Sequence, residues 1–450
     1  MLNQSIFKQF SHYVRANVLG MVGLSCYILA DTYFVAKALG AVGLASLNFA
    51  IAVYTLIHAT GLMLGMGGAI QYSTLRARGK SQEANKMFMA SVIAALVFGI
   101  VFFMLGMFAS EPISLKLGAD ISTVAYTSIY LKTIMCFSPF FLLNNVFLAF
   151  TRNDNQPNKA MQAMLMGSFS NILLDYLFMF PLGMGMFGAA FATSLAPIIS
   201  LAVMMTHFLS KDCGFSFLFE WRSAKHIFLV MQLGMSSFIN EMSSAIVLIT
   251  FNLTILKLAG NTGVAAYGIV ANIAFVALAI FTGIAQGIQP LISEKYGLGQ
   301  VKEIKLVVKY GWRTSTLIAG LIYGFAYYYA ASIAGAFNSE GNILLNDMAV
   351  EGIHIYFIGF IFAGLNIILS SYLGAMHHAK EAFWISISRG FIVILPVLFV
   401  MSQWLGMIGV WSAFVIAEGI VACIAIAFSV KVTRHLNQYE KLDMRSKIAG

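Results

Sequence analysis

The chain has 450 residues, 60% of them hydrophobic and 10% charged, with a net charge of +9. A soluble domain carries about 25% charged residues, so this composition excludes a chain whose whole surface faces water. The mean hydropathy of +0.83 and the length point instead to about twelve spans of roughly 20 residues.

Long unbroken apolar runs, such as 90–108 and 391–400, select helices over the alternating strands of a membrane barrel. In chain order the pattern predicts helices over 14–36, 44–70, 88–110, 124–150, 160–182, 187–209, 226–256, 264–292, 311–337, 349–375, 382–402 and 407–430. The first run contains Asn17 and Asp31 and is too long for a signal-peptide core, so it is expected to be an uncleaved first helix. Cys26, Cys136 and Cys423 lie in apolar runs and Cys213 sits alone in a loop, which indicates neither a disulfide framework nor a metal cluster.

The loops between these helices fall into two alternating sets. One holds nearly all of the 27 lysines and arginines; the other holds only Lys37, Lys116, Lys132 and Lys257. Basic loops stay in the cytoplasm, so both termini are expected there, and the positive charge belongs to membrane topology rather than to nucleic-acid binding.

A weak repeat runs at a period near 220. Gly40, Gly43 and Ala45 recur as Gly260, Gly263 and Ala265; Thr60, Gly61 and Gly65 recur as Thr282, Gly283 and Gly287. Gly79 recurs as Gly299, and Gly185, Met186 and Gly188 recur as Gly406, Met407 and Gly409. The expected fold is an all-α membrane protein of twelve helices in two six-helix lobes, related by a pseudo-two-fold axis along the membrane normal with a cavity between them. The expected divisions are an amino-terminal lobe over 1–209, a cytoplasmic linker over 210–225, a carboxy-terminal lobe over 226–430 and a cytoplasmic tail over 431–450.

Four acidic residues fall inside apolar spans: Asp31, Asp175, Glu241 and Glu418. A charge at membrane depth costs several kcal/mol unless it is paired, hydrated or neutralised, so each is a candidate functional group. Asn171 lies one turn before Asp175 and shares its helix face. Carboxylates with amide oxygens suit either Na+, through hard oxygen ligands, or a proton held on a buried carboxyl. His58 is a candidate proton carrier at mid-span, although a lone histidine on a helix is more often structural. Arg389 is expected to snorkel or to pair with a carboxylate. The 25 methionines and 38 phenylalanines suit an adaptable apolar binding surface, though most must face lipid or core.

Enzyme motifs are poor. The glycine pattern over 183–188 lies in a turn between helices with no preceding parallel strand, and the Gly79-Lys80-Ser81 run lacks the upstream glycine of a phosphate loop. The expectation is therefore a non-enzyme without cofactors.

The segment over 30–40, followed by Gly43-Leu44-Ala45, resembles the first helix and outer turn of the multidrug and toxin extrusion (MATE) family. The stretches from Gly61 through Lys80, 171–175 and 188–193 are similar to that family as well. The resemblance implies V-shaped six-helix lobes and antiport of organic cations against Na+ or H+. It places Asp31, Asn171, Asp175 and Thr193 in a cation site of the amino-terminal lobe, with Asn145 as a further member and Na+ possible at Asp31, Asn171 and Asp175. It places Tyr27 in the neighbouring cavity and matches Glu241 to an acidic residue of the NorM-like branch. Glu418 and His58 complete the expected cavity set. The tenth span lacks the internal aspartate of that branch, which favours the DinF-like branch. The expected partners are small amphipathic drug-like substrates and the lipid bilayer, for a monomer in a prokaryotic inner membrane. The rival readings are a flippase for a lipid or lipid-linked precursor and an intramembrane lipid-modifying enzyme. The dispersed acids and single intramembrane arginine disfavour both.

Overall fold

The computed structural model describes residues 2–217, 224–338 and 342–449. Part of the expected linker, 218–223, lies outside the described residues, and so do the side chains from 435 onward.

The described residues are mainly helical, joined by short turns. The helices are α1 (Leu2–Ala77), α2 (Ser81–Lys116), α3 (Val124–Cys136), α4 (Ser138–Asn153), α5 (Pro157–Met179) and α6 (Gly185–Phe208), followed by α7 (Ala224–Gly297), α8 (Val301–Phe337), α9 (Ile343–Tyr356), α10 (Phe360–Ala375), α11 (Ala379–Ile387) and α12 (Ile394–Ala449). Among the described residues seven helices are long and apolar enough to cross a membrane, or eight if the bent pair α3 and α4 makes one span. Large apolar side chains stand exposed along them, including Phe108, Tyr328 and Trp404. Such a surface is stable against lipid and not against water.

Three of the expected loops are absent. The helices predicted over 14–36 and 44–70 run into one another, broken only at Gly40, where φ is 63° and ψ is −153°. Gly260 breaks α7 in the same way, with φ 62° and ψ −157°, and Gly406 breaks α12. A side chain is strongly disfavoured in that backbone region, so the glycine turns the chain at a single residue. Dividing α1, α7 and α12 there, and joining the broken helices α3–α4, α9–α10 and α11–α12, recovers the twelve expected segments. The break between α3 and α4 bends the chain by 50° at Phe137, just before Pro139, which has no N–H to continue the ladder. The expected tail over 431–450 is a continuation of α12 as far as Ala449.

The repeat survives as geometry. Gly79 and Gly299 share positive φ values of 76° and 71°, and Asn155 and His377 share 61° and 65°. Each of these four residues ends a helix in the left-handed conformation, with the following N–H returned to the helix.

Packing divides the chain into two compact units, but not at the 210–225 loop. One unit runs from Arg15 to Met242; the other gathers residues up to Val14 with those from Ser243 onward. Glycine explains both exchanges. The first arm of α7 lies against α1 so closely that a side chain at Gly67 would strike Val230 and Gly234, and one at Gly234 would strike Met63. In the other unit, Gly287 meets the backbone of Tyr13 and Val14. Small residues at such crossings let helix backbones approach without hindrance.

Candidate functional site

The amino-terminal unit draws its polar interior from α1, α3, α4, α5 and α6. Asp31 and Asp175 are 7% and 0% exposed, and Asn171 and Thr193 are equally buried. The spacing of four residues on α5 stacks Asn171 beneath Asp175. With its amide oriented to satisfy both neighbours, Asn171 donates to Oδ2 of Asp175 at 3.0 Å and accepts from the Thr193 N–H at 3.2 Å. Asn171, Asp175 and Thr193 thus form one connected group across α5 and α6.

Asp31 approaches from α1, near enough for the two carboxyl groups to feel each other's charge. Oδ1 of Asp31 and Oδ1 of Asp175 are both buried and have no hydrogen-bond partner. Buried polar atoms are nearly always satisfied, so these two oxygens are candidates to meet something other than the protein.

A second polar group adjoins the first. The Tyr27 and Tyr54 hydroxyls lie 2.9 Å apart. Tyr54 stacks on His58, with ring centroids 6.1 Å apart and planes at 9°. His58 Nδ1 stands 3.4 Å from Asn145 Nδ2, which also donates to the Phe141 carbonyl at 3.1 Å. Asn145 fits because Gly61 and Gly65 leave room beneath it; a side chain at Gly65 would meet the Asn145 backbone. Tyr27 and Tyr54 both lie in the field of Asp31, and Tyr54 also feels Glu241. Asn145 and His58 therefore join the tyrosines rather than the Asn171–Asp175–Thr193 group.

Two residues were not anticipated from sequence. Tyr130 on α3 is 3% exposed; its hydroxyl interacts with Thr193 and lies in the field of both Asp31 and Asp175. Tyr54 links the tyrosine pair to His58. Tyr54 precedes His58 by one helical turn, the same spacing as Tyr27 before Asp31, and that recurrence was the available signal. Tyr130 carried none, since a tyrosine in a span is commonly an interfacial anchor.

Glu418, expected in the cavity set, belongs to the carboxy-terminal unit and pairs with Arg389.

A further buried cluster closes the end of the amino-terminal unit where α1, α4 and α6 finish. Asp154 is ion-paired with Arg76 and accepts from the Tyr72 hydroxyl at 3.0 Å, from His207 Nε2 at 2.8 Å and from the Gly214 N–H at 2.8 Å. Cys213, solitary in the sequence, stands here too: ligand atoms of Asp154, His207 and Cys213 lie within 4.8 Å of one another. The Asp154 oxygens are already engaged, however, while burial raises the pKa of the Cys213 thiol and its Sγ donates to the Phe215 carbonyl at 3.2 Å. With these hydrogen bonds made, the cluster serves as a structural knot that ties the loop after α6 to the ends of α1 and α4.

Taken together, the folded units define a polytopic membrane protein of internally repeated helices with a buried pair of partly unsatisfied carboxyl groups. The chain belongs to the MatE family, which matches residues 17–177 and 236–400. It is 24% identical over 424 residues to the multidrug export protein MepA of Staphylococcus saprophyticus, covering 94% of this chain and 93% of that one. The MepA protein of Staphylococcus haemolyticus is 25% identical over 426 residues, with the same coverage. Among solved structures, an outward-facing multidrug resistance transporter of the MATE family superposes with a TM-score of 0.90 at 21% identity, covering 96% of both chains.

Proposed function

We propose that this chain is a secondary active multidrug exporter that exchanges organic, cationic compounds for Na+ or H+ by alternating access. The observation that carries the reading is the pair of buried, unpartnered carboxyl oxygens on Asp31 and Asp175, set beside Asn171 and Thr193. A carboxyl group so placed is tolerated in a membrane only when a cation or proton neutralises it. Family membership and the MepA relatives support a drug-like cargo and the role of a transporter rather than an enzyme. Na+ would take Oδ1 of both aspartates and neutral oxygens of the Asn171–Thr193 group; a proton would sit on either carboxyl.

Coupling requires that ion and drug favour opposite conformations. The tyrosine pair, His58 and Glu241 offer aromatic faces and negative charge to a cationic drug, which is the chemistry of cation–π recognition. The asymmetry of basic loops supports cytoplasmic termini in an inner membrane. No cofactor other than the coupling ion is required.

The test is export of a cationic dye from proteoliposomes under a Na+ gradient and a pH gradient imposed separately. Export should follow one gradient and vanish in Asp31→Asn at near-normal expression. Export that survives Asp31→Asn unchanged would remove the aspartate from the mechanism, and no export under either gradient would redirect the reading toward lipid cargo.

A further inference from the structure

The carboxy-terminal unit buries a carboxylate of its own and neutralises it internally. Glu418 on α12 is 3% exposed. Its Oε1 accepts from Arg389 Nε at 2.5 Å and its Oε2 accepts from Asn366 Nδ2 at 2.7 Å. The same Asn366 nitrogen donates to the Glu418 backbone carbonyl at 2.9 Å, and Asn366 is wholly buried. Both carboxylate oxygens are therefore held by the chain itself.

Arg389 reaches Glu418 from a π turn, Ser388–Ile392, between α11 and α12. A π turn widens the helix and re-aims the side chains it carries, and such turns recur at functional sites. This one is fixed in place: Gly390 is seated on the Ser243 side chain, where any side chain would clash.

The shared left-handed turns at Asn155 and His377 and at Gly185 and Gly406 make α10 the counterpart of α4, α11 with the first arm of α12 the counterpart of α5, and the second arm of α12 the counterpart of α6. Each unit carries a buried carboxyl group beside a buried amide within these three segments, but on different ones: Asp175 on α5, and Glu418 on the counterpart of α6 with Asn366 on the counterpart of α4. In the amino-terminal unit Asp175 keeps an unpartnered oxygen. In the carboxy-terminal unit a guanidinium stands against the carboxylate. Arginine stays charged at any physiological pH and is covalently fixed, so the charge it supplies can be neither released nor exchanged.

We propose that Arg389 is a tethered counter-ion standing where a free cation would otherwise neutralise the buried Glu418, so that the carboxy-terminal unit takes up no coupling ion and the amino-terminal unit alone sets the exchange stoichiometry. The proposal deepens the cation-coupled reading above and rests on it. Removing the guanidinium turns Glu418 into a site for a free monovalent cation, with Asn366 beside it. Tyr356 is a further titratable group in the field of the pair.

The experiment compares wild type, Arg389→Met and Arg389→Met with Glu418→Gln as purified full-length protein. Bound 22Na+ and proton release are counted at equilibrium, and melting temperature is followed against Na+ concentration and pH. Arg389→Met should bind one more cation equivalent per chain than wild type, and its melting temperature should climb with Na+ or with falling pH. The double variant should return to the wild-type count and lose that climb. An unchanged count in folded Arg389→Met overturns the proposal. So does an Arg389→Met protein that stays unstable at every Na+ concentration and pH while the double variant folds, because Glu418 then accepts no free ion. If wild type binds neither ion but Arg389→Met binds one through Glu418, the tethered counter-ion stands and the coupling reading of Asp31 and Asp175 falls.

Discussion

Nε2 of His207 lies 2.8 Å from Oδ2 of Asp154, and that oxygen also accepts the Gly214 N–H at 2.8 Å. One carboxylate thereby ties the end of α6, the chain leaving it, and Arg76 at the end of α1 into one cluster. A side chain at Gly214 would run into Asp154 and Arg76, so glycine lets the chain enter without displacing them.

Asp154→Ala should lose about 3 kcal/mol of stability, because it strips a saturated carboxylate that is 0% exposed and leaves its donors without a partner. His207→Ala removes one of the four donors and should cost about 1–2 kcal/mol. Melting of detergent-solubilised protein reads both; equal and negligible losses would show that the cluster does not hold this end of the unit together.

Substitutions in the Asp31–Asp175 site should form a graded series. Asp175→Asn should eliminate gradient-driven export as completely as Asp31→Asn. Thr193→Ala removes one neutral group and should raise the ion concentration for half-maximal export about fivefold, equivalent to about 1 kcal/mol. Dye export measured across an ion titration separates the variants, and a Thr193→Ala loss as deep as that of Asp175→Asn would contradict the ranking.

Tyr130→Phe keeps the ring and deletes only the hydroxyl facing Thr193 and the two aspartates. Ion dependence of export should shift while expression and melting temperature stay close to wild type. A variant with unaltered ion dependence would confine Tyr130 to packing.

Gly67→Val should drive α1 and the first arm of α7 apart, since even a Cβ at Gly67 would meet the Val230 carbonyl. Overpacking of this kind costs about 1–3 kcal/mol. Gly268 has open space around it, and Gly268→Ala should leave melting unchanged. Equal melting temperatures for Gly67→Val and wild type would mean that the helices are not in contact there.

Much of the architecture could be read before any coordinates. Apolar runs gave the spans, and ordered glycines gave the repeat, because a residue that turns a helix at positive φ is almost forced to be glycine. The same rule hid the junctions. Gly40, Gly260 and Gly406 looked like loop residues, yet each turns the chain alone and leaves no loop. Connectivity suggests a boundary in the 210–225 loop, whereas packing groups the first arm of α7 with the amino-terminal unit through close glycine crossings.

The sequence by itself determined that the chain is a repeated helical membrane protein and that Asp31, Asp175, Glu241 and Glu418 need an explanation, because hydrocarbon tolerates neither open backbone nor unpaired charge. Only the tertiary structure decided what each acid meets. Asp175 keeps an oxygen unpartnered, Glu418 is closed by Arg389 and Asn366, and Tyr130 enters the site from a helix whose sequence carries no sign of it. Hydropathy records the cost of burying a charge but not the neighbour that offsets it, and that neighbour is fixed by packing between residues far apart in the chain.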